Sequence, residues 1–229
     1  MMARSAPVRL LRNHINPAPL MLGNDKVGNC TSVGLAKHIR ATAAVAGFQV
    51  DIVPENAISF YSRSTGYVPS RPETDQGGVE VDVLACASRI GYDVPHQRFY
   101  PLWGSSEPED LNVLRLIVAG FGAAYVGVQL AQADQTSGIW DTVTPGNQQP
   151  GSWGGHCLLV WDYTGTADDD LVTVLTWGIR QKCTWRWLRS RLMEVHGVIW
   201  PQLVLPGGLY PTGDDLEKLR AENAAFLGN

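Results

Sequence analysis

No two cysteines in the chain stand close enough to make a CxxC ligand pair; Cys30, Cys86, Cys157 and Cys183 are scattered singly. That spacing excludes a zinc ribbon. No export signal accompanies them, so free thiols are expected rather than a disulfide framework. Met1 to Leu11 carries Arg4 and Arg9 but no apolar stretch, and no signal peptide is read there. Long hydrophobic runs are missing too: Leu116 to Leu130 is broken by glycines and too short to span a bilayer. Charge of one sign is nowhere concentrated. The formal net charge is -4 with no block of Lys or Arg, so no electrostatic capture of nucleic acid or an anionic membrane is expected. With 45% hydrophobic and 17% charged residues, the balance is that of a folded chain and not a disordered one. No internal repeat is visible. The expectation is a soluble, cytoplasmic protein of one sizeable core, or of two lobes sharing an interface.

Residues 1–23, with Arg4, Pro7, Pro17 and Pro19, read as an extended N-terminal arm. Thr31 to Ala46 reads as a helix, because Val33, Ala36, Ile39 and Ala43 recur at helical spacing, with Asn29 as N-cap and Gly47 as stop. Further helices are predicted over Glu55–Ser62, Val81–Ile90 and Glu109–Ala119. The texture then changes. Ala124–Leu130, His156–Tyr163, Leu171–Trp177 and His196–Trp200 are rich in Val, Leu, Ile and Trp and read as strands, with Asp168, Asp169 and Asp170 in a hairpin turn. A short helix is expected within Lys182–Val195. A tail at 206–229 contains a second, Asp214–Leu227, with Leu216, Leu219 and Phe226 on one side. Helices first and an antiparallel sheet after them make an α+β protein.

Two segments carry chemistry. In Gly28-Asn29-Cys30-Thr31 a thiol opens a helix, where free N–H groups and the helix dipole lower its pKa and favour the nucleophilic thiolate. Gly28 permits a sharp turn and close approach of a substrate carbonyl. In Gly154-Gly155-His156 an imidazole enters an apolar strand behind two glycines, and within hydrogen-bond reach of a thiol it forms a thiolate–imidazolium pair. Taken singly, each residue is better read as a core or edge residue. Cys157 faces the other side of the strand from His156 and is read as core packing, so Cys30, His156 and Cys157 are not expected to share a metal. His14, His38, His96 and His196 show no partner pattern and are read as surface or core residues. No cofactor and no metal site is predicted.

From about Asn24 to Trp200 the order of these motifs resembles the papain-like cysteine peptidases. The resemblance implies a helical lobe (about 24–122), a β-rich lobe (about 123–205) and a cleft between them. It implies Cys30 as nucleophile and His156 as its base. Asn24 stands six residues before Cys30, where the family has its oxyanion-hole glutamine. Gly28, Asn29, Gly77, Gly78 and Gly155 match segments that surround the substrate, with Trp153 walling the cleft and Trp177 shielding the histidine. Val174-Leu175-Thr176-Trp177-Gly178 is similar to the family's Asn-Ser-Trp-Gly strand. Leu175 there replaces the asparagine that orients the histidine. Thr176 takes that role only if the strand is shifted by one residue.

With 29 residues before Cys30, no long inhibitory propeptide is expected. In this the chain is similar to short papain-like proteins of bacteriophages and bacteria. The implied function is hydrolysis of a peptide, isopeptide or amide bond in a peptide or protein substrate. The alternative is a catalytically weak or inactive scaffold, such as a phage virion component, with residues 1–23 and 206–229 as assembly contacts.

Overall fold

The computed structural model describes residues 5–17 and 20–226. Arg4, Pro19 and Leu227, read above as parts of the arm and the tail helix, lie outside the described residues. The order is helices, then sheet. Helix α1 (Cys30–Val45) is followed by α2 (Pro54–Thr65) and α3 (Glu80–Ile90). A two-stranded hairpin comes next, β1 (Tyr92–Val94) with β2 (Gln97–Phe99), and then β3 (Leu102–Ser106) and α4 (Leu111–Phe121). The remaining strands are β4 (Ala124–Leu130), β5 (Gly154–Tyr163), β6 (Leu171–Thr176), β7 (Ile179–Thr184) and β8 (Leu192–Ile199), with α5 (Trp185–Arg191) before β8 and α6 (Leu216–Phe226) at the end.

Six strands form one antiparallel sheet in the order β3-β8-β4-β5-β6-β7. Because side chains alternate along a strand, the sheet feeds two cores. Tyr125, Cys157, Leu159, Trp161 and Leu175 face α1 and its neighbours. Val126, Leu158, Val160, Val172 and Val174 face the other way, against residues of α4, α5 and α6 such as Leu114, Trp187 and Leu219. Strand β5 is covered on both sides, which is why its sequence reads as an unbroken apolar run. Truncating a side chain such as Leu159 to alanine there costs about 2–5 kcal/mol.

Helix α1 is buried around most of its circumference, as a helix at the middle of a domain must be. It even buries a histidine. His38 Nε2 donates to the Ala123 carbonyl (3.0 Å) and Nδ1 accepts from Trp200 Nε1 (2.9 Å), so the ring is satisfied while neutral; burial pushes its pKa down to about 4. The close seating of α1 on the sheet depends on Gly34. A Cβ there would meet Tyr125 at 2.7 Å and the Cys157 sulfur at 2.8 Å. This packing carries the start of α1 to the start of β5.

Segment 5–17 is tied to the body. Leu10 exchanges both backbone hydrogen bonds with Tyr163 (3.0 and 2.9 Å). The buried Arg12 guanidinium donates to the carbonyls of Gly122, Val118 and Trp161, closing the C-terminal carbonyls of α4. The loop between β4 and β5 is pinned from below by Asp134, which accepts from Ala131 N–H (2.7 Å), Trp187 Nε1 (2.8 Å) and the Arg191 guanidinium (3.0 Å).

Strands β3 and β7 and the β1–β2 hairpin are absent from the sequence reading. Strand β7, Ile-Arg-Gln-Lys-Cys-Thr, hides its period under polar residues, and the others are too short to show one. The short helix expected within Lys182–Val195 is α5, entered directly from β7 through a Thr184 cap whose hydroxyl accepts from Trp187 N–H (3.1 Å).

Candidate active site

The turn before α1 is built from below. Asn29 does not cap the helix with its side chain, contrary to the sequence reading. It is fully buried, and its amide donates inward to the Leu22 carbonyl (3.1 Å). The turn is held instead by Asp75, whose two oxygens accept from Gly28 N–H (3.0 and 2.9 Å). Tyr61 donates to Asp75 (2.6 Å) and accepts from Gly77 N–H (2.9 Å). One carboxylate therefore clamps the segment that leads into Cys30 to the Gly77-Gly78 segment opposite it.

A cavity of about 570 Å³ opens beside this turn. Cys30, His156, Gly77, Gly78 and Gly155 line it, so α1, the loop before α3 and the start of β5 meet at one surface. Gly28, Asn29, Asn24, Trp153, Thr176 and Trp177 do not line it. The Asn24 amide is engaged locally, its Nδ2 donating to the Val27 carbonyl (3.3 Å). Thr176 and Trp177 lie behind the imidazole. Thr176 Oγ1 is 2.7 Å from His156 Nε2, and the Trp177 ring stacks on the imidazole with centroids 3.9 Å apart and planes 19° apart. Trp153 packs on Trp177 in turn with its ring tilted (5.1 Å, 41°), and Trp140 meets Trp177 edge-on (6.5 Å). Trp177 and Gly178 form the two-residue turn between β6 and β7, with φ of 20° and 73°.

Electrostatics at the cavity is dominated by burial. Burial pushes the Cys30 thiol up; backbone N–H groups of Cys157 and Thr31 work against it, and Glu80 adds to it. Burial, with a smaller contribution from the positive charge of Lys37, pushes the His156 imidazole down to about 3. Lys37 lies two helical turns after Cys30 and is itself buried; its pKa falls to about 8 by burial, against the pull of Cys157 and Cys30. Cys86, Cys157 and Cys183 are buried, whereas Cys30 is partly exposed.

Several of these groups are invisible to motif reading. Lys37 was hidden among apolar neighbours, although a lysine on the inward face of a buried helix is itself a signal. Glu80 reads as an ordinary acidic residue in the first turn of a helix. His196, read as lacking partners, has Glu194 and Ser105 at hydrogen-bond distance (3.1 and 2.9 Å).

The sequence matches no family model and no curated protein. The architecture does match solved structures. Xylellain, a cysteine protease from Xylella fastidiosa, superposes with a TM-score of 0.57 at 10% identity, over 76% of this chain and 80% of that one. Digestive procathepsin L2 proteinase from Tenebrio molitor larval midgut gives 0.57 at 15% identity, over 86% and 69%.

The fold is papain-like.

The cysteine protease and lectin-like domains of Cwp84, a surface-layer-associated protein of Clostridium difficile, give 0.53 at 9% identity, over 86% of this chain and 54% of that one. At such identities the likeness concerns the path of the chain. Within the papain-like fold the cavity described above lies where α1 and β5 converge. Among the described residues no helix is long and apolar enough to cross a membrane.

Proposed function

We propose that this papain-like chain is a cysteine-dependent hydrolase of a peptide, isopeptide or other amide bond, with Cys30 as nucleophile and His156 as general base. The supporting observation is that a thiol opening the 16-residue helix α1 and an imidazole backed by Thr176 line one cavity. Taken singly, both groups favour their neutral forms. Moving the thiol proton to the imidazole creates both charges together, and their attraction, with the dipole of α1, offsets the cost of burial. Thr176 accepts from Nε2–H, which fixes the tautomer and leaves Nδ1 as the basic nitrogen.

The thiolate attacks the substrate carbonyl carbon. The oxyanion that forms takes hydrogen bonds from Cys30 N–H and from Asn24 Nδ2, once the latter swings off the Val27 carbonyl. The imidazolium then gives its proton to the leaving amine, and water activated by the same imidazole hydrolyses the thioester. Gly77, Gly78 and Gly155 offer backbone to the substrate at the cavity wall, Gly28 and Asn29 hold the nucleophile turn, and Trp177 with Trp153 keeps water from the imidazole. The protein works in a cytoplasm or, if phage-encoded, in a virion.

Alkylation tests this reading. Iodoacetamide at neutral pH is expected to label Cys30 well ahead of the other three thiols, and His156→Ala to slow labelling of Cys30 to the rate of an ordinary exposed thiol. A Cys30 rate that is indifferent to His156 would remove the dyad. A second reading, a papain-like scaffold without turnover, draws support from the Asn24 amide already being engaged. In that case segments 1–23 and 206–229 serve as assembly contacts, and Cys30→Ala is silent in binding and assembly assays.

A further inference from the structure

A second group of chemically active side chains meets at the floor of the same cavity. Glu80 opens α3, while Glu194 and His196, two residues apart on β8, share a strand face. One ligand atom from each lies within 4.8 Å of the others. His196 Nε2 is 3.1 Å from Glu194 Oε2 and 4.0 Å from Glu80 Oε2, and its Nδ1 is 2.9 Å from Ser105 Oγ. Glu80 and His196 are buried, and Glu194 is half-buried toward the cavity that both carboxylates line.

Donors are scarce in this arrangement: beside the imidazole, the Cys157 thiol, a weak donor, also reaches Glu80. A neutral imidazole owns one N–H. Pointed at Glu194, it leaves Glu80 Oε2 buried and without a hydrogen-bond partner, as it is in this structure. Two carboxylates side by side in a buried site repel each other. The strand beneath keeps space for the carboxylate: Gly127 sits where any Cβ would collide with it.

We propose that Glu80, Glu194 and His196 bind one divalent cation of the zinc class. Two carboxylates and an imidazole suit such an ion, and the remaining coordination position faces the cavity. Nδ1–H then donates to Ser105 Oγ, the outer hydrogen bond that orients a ligating histidine. A small ion fits better than a basic peptide side chain, because Glu80 Oε2 is closed to solvent and too deep for a bulky guanidinium. The site does not require Cys30 to be catalytic.

The test uses the full chain carrying Cys30→Ala, which removes the thiol that could hold zinc with His156. The protein is stripped with a chelator, dialysed and titrated with zinc chloride by calorimetry near neutral pH. One ion per chain is expected, with a higher thermal midpoint. Glu194→Gln, the change least able to disturb folding, should weaken binding by about tenfold or more, and Glu80→Gln and His196→Gln likewise while circular dichroism stays native. Absence of zinc binding overturns the proposal. So does binding that survives all three substitutions, or that is lost only with His156→Ala. If Glu80→Gln and Glu194→Gln instead weaken a lysine- or arginine-bearing peptide and zinc does not bind, the pocket takes a basic side chain and the metal assignment fails.

Discussion

Thr176 Oγ1 lies 2.7 Å from His156 Nε2, whereas Leu175, the residue that motif order places opposite the histidine, is buried in the core against α1. Successive strand residues face opposite ways, so only one of the two can meet the imidazole. The β5–β6 pairing has a register shift between Val160 and Asp162. The pairing at the Thr176 end is therefore not a simple continuation from the hairpin turn.

Removing that hydroxyl should cost one hydrogen bond and no packing volume. Thr176→Val is expected to lower kcat/KM about five- to tenfold, which corresponds to about 1 kcal/mol. Steady-state kinetics on an amide substrate measures it, and an unchanged value would show that the contact does not orient the base.

Asp75 binds Gly28 N–H and Tyr61 on a half-buried site between the two walls of the cavity. Asp75→Ala strands the Gly28 N–H and is expected to destabilise the fold by about 1–3 kcal/mol. Urea unfolding reads the loss, and alkylation of Cys30 reads the loosened turn. A change in stability with unaltered Cys30 reactivity would mean the clamp supports the fold alone.

Trp177 covers the His156 ring, whose pKa of about 3 is lowered chiefly by burial. A depressed histidine contributes stability that is present above about 6.5 and lost as pH falls through about 3. In a Cys30→Ala background, where no thiol shares the proton, Trp177→Ala should let water reach the ring, raise its pKa toward 6.5 and shrink that acid-side loss. NMR titration of the His156 ring protons follows the first effect, and unfolding curves between pH 3 and pH 6.5 follow the second. A ring that still titrates near 3 would show that Trp177 is not the cover.

Glu80 has the opposite sign. Its pKa is raised to about 8, with Glu194, His196 and Cys157 around it, so its contribution is full below about 4.5 and is lost as pH rises through about 8. Glutamine imitates the protonated form. With chelator present, wild type should therefore lose stability relative to Glu80→Gln by about 1 kcal/mol per pH unit across that window. Parallel stability curves for the two proteins would contradict it.

Local order is what the amino-acid sequence determined alone. The spacing of Val33, Ala36 and Ile39 predicts α1, the unbroken run after His156 predicts β5, and the sequence of helices then strands predicts α+β. Cys30 and His156 are legible because a helix start and a strand entry are local features. Tertiary structure decided what stands around them. Gly34 lets α1 sit close enough to the sheet to bring the two segments to one cavity, and strand alternation selects Thr176 over Leu175. The meeting of Glu80 with Glu194 and His196 joins residues more than a hundred positions apart. Such contacts depend on chain paths set by the whole core, and no spacing along the chain encodes them.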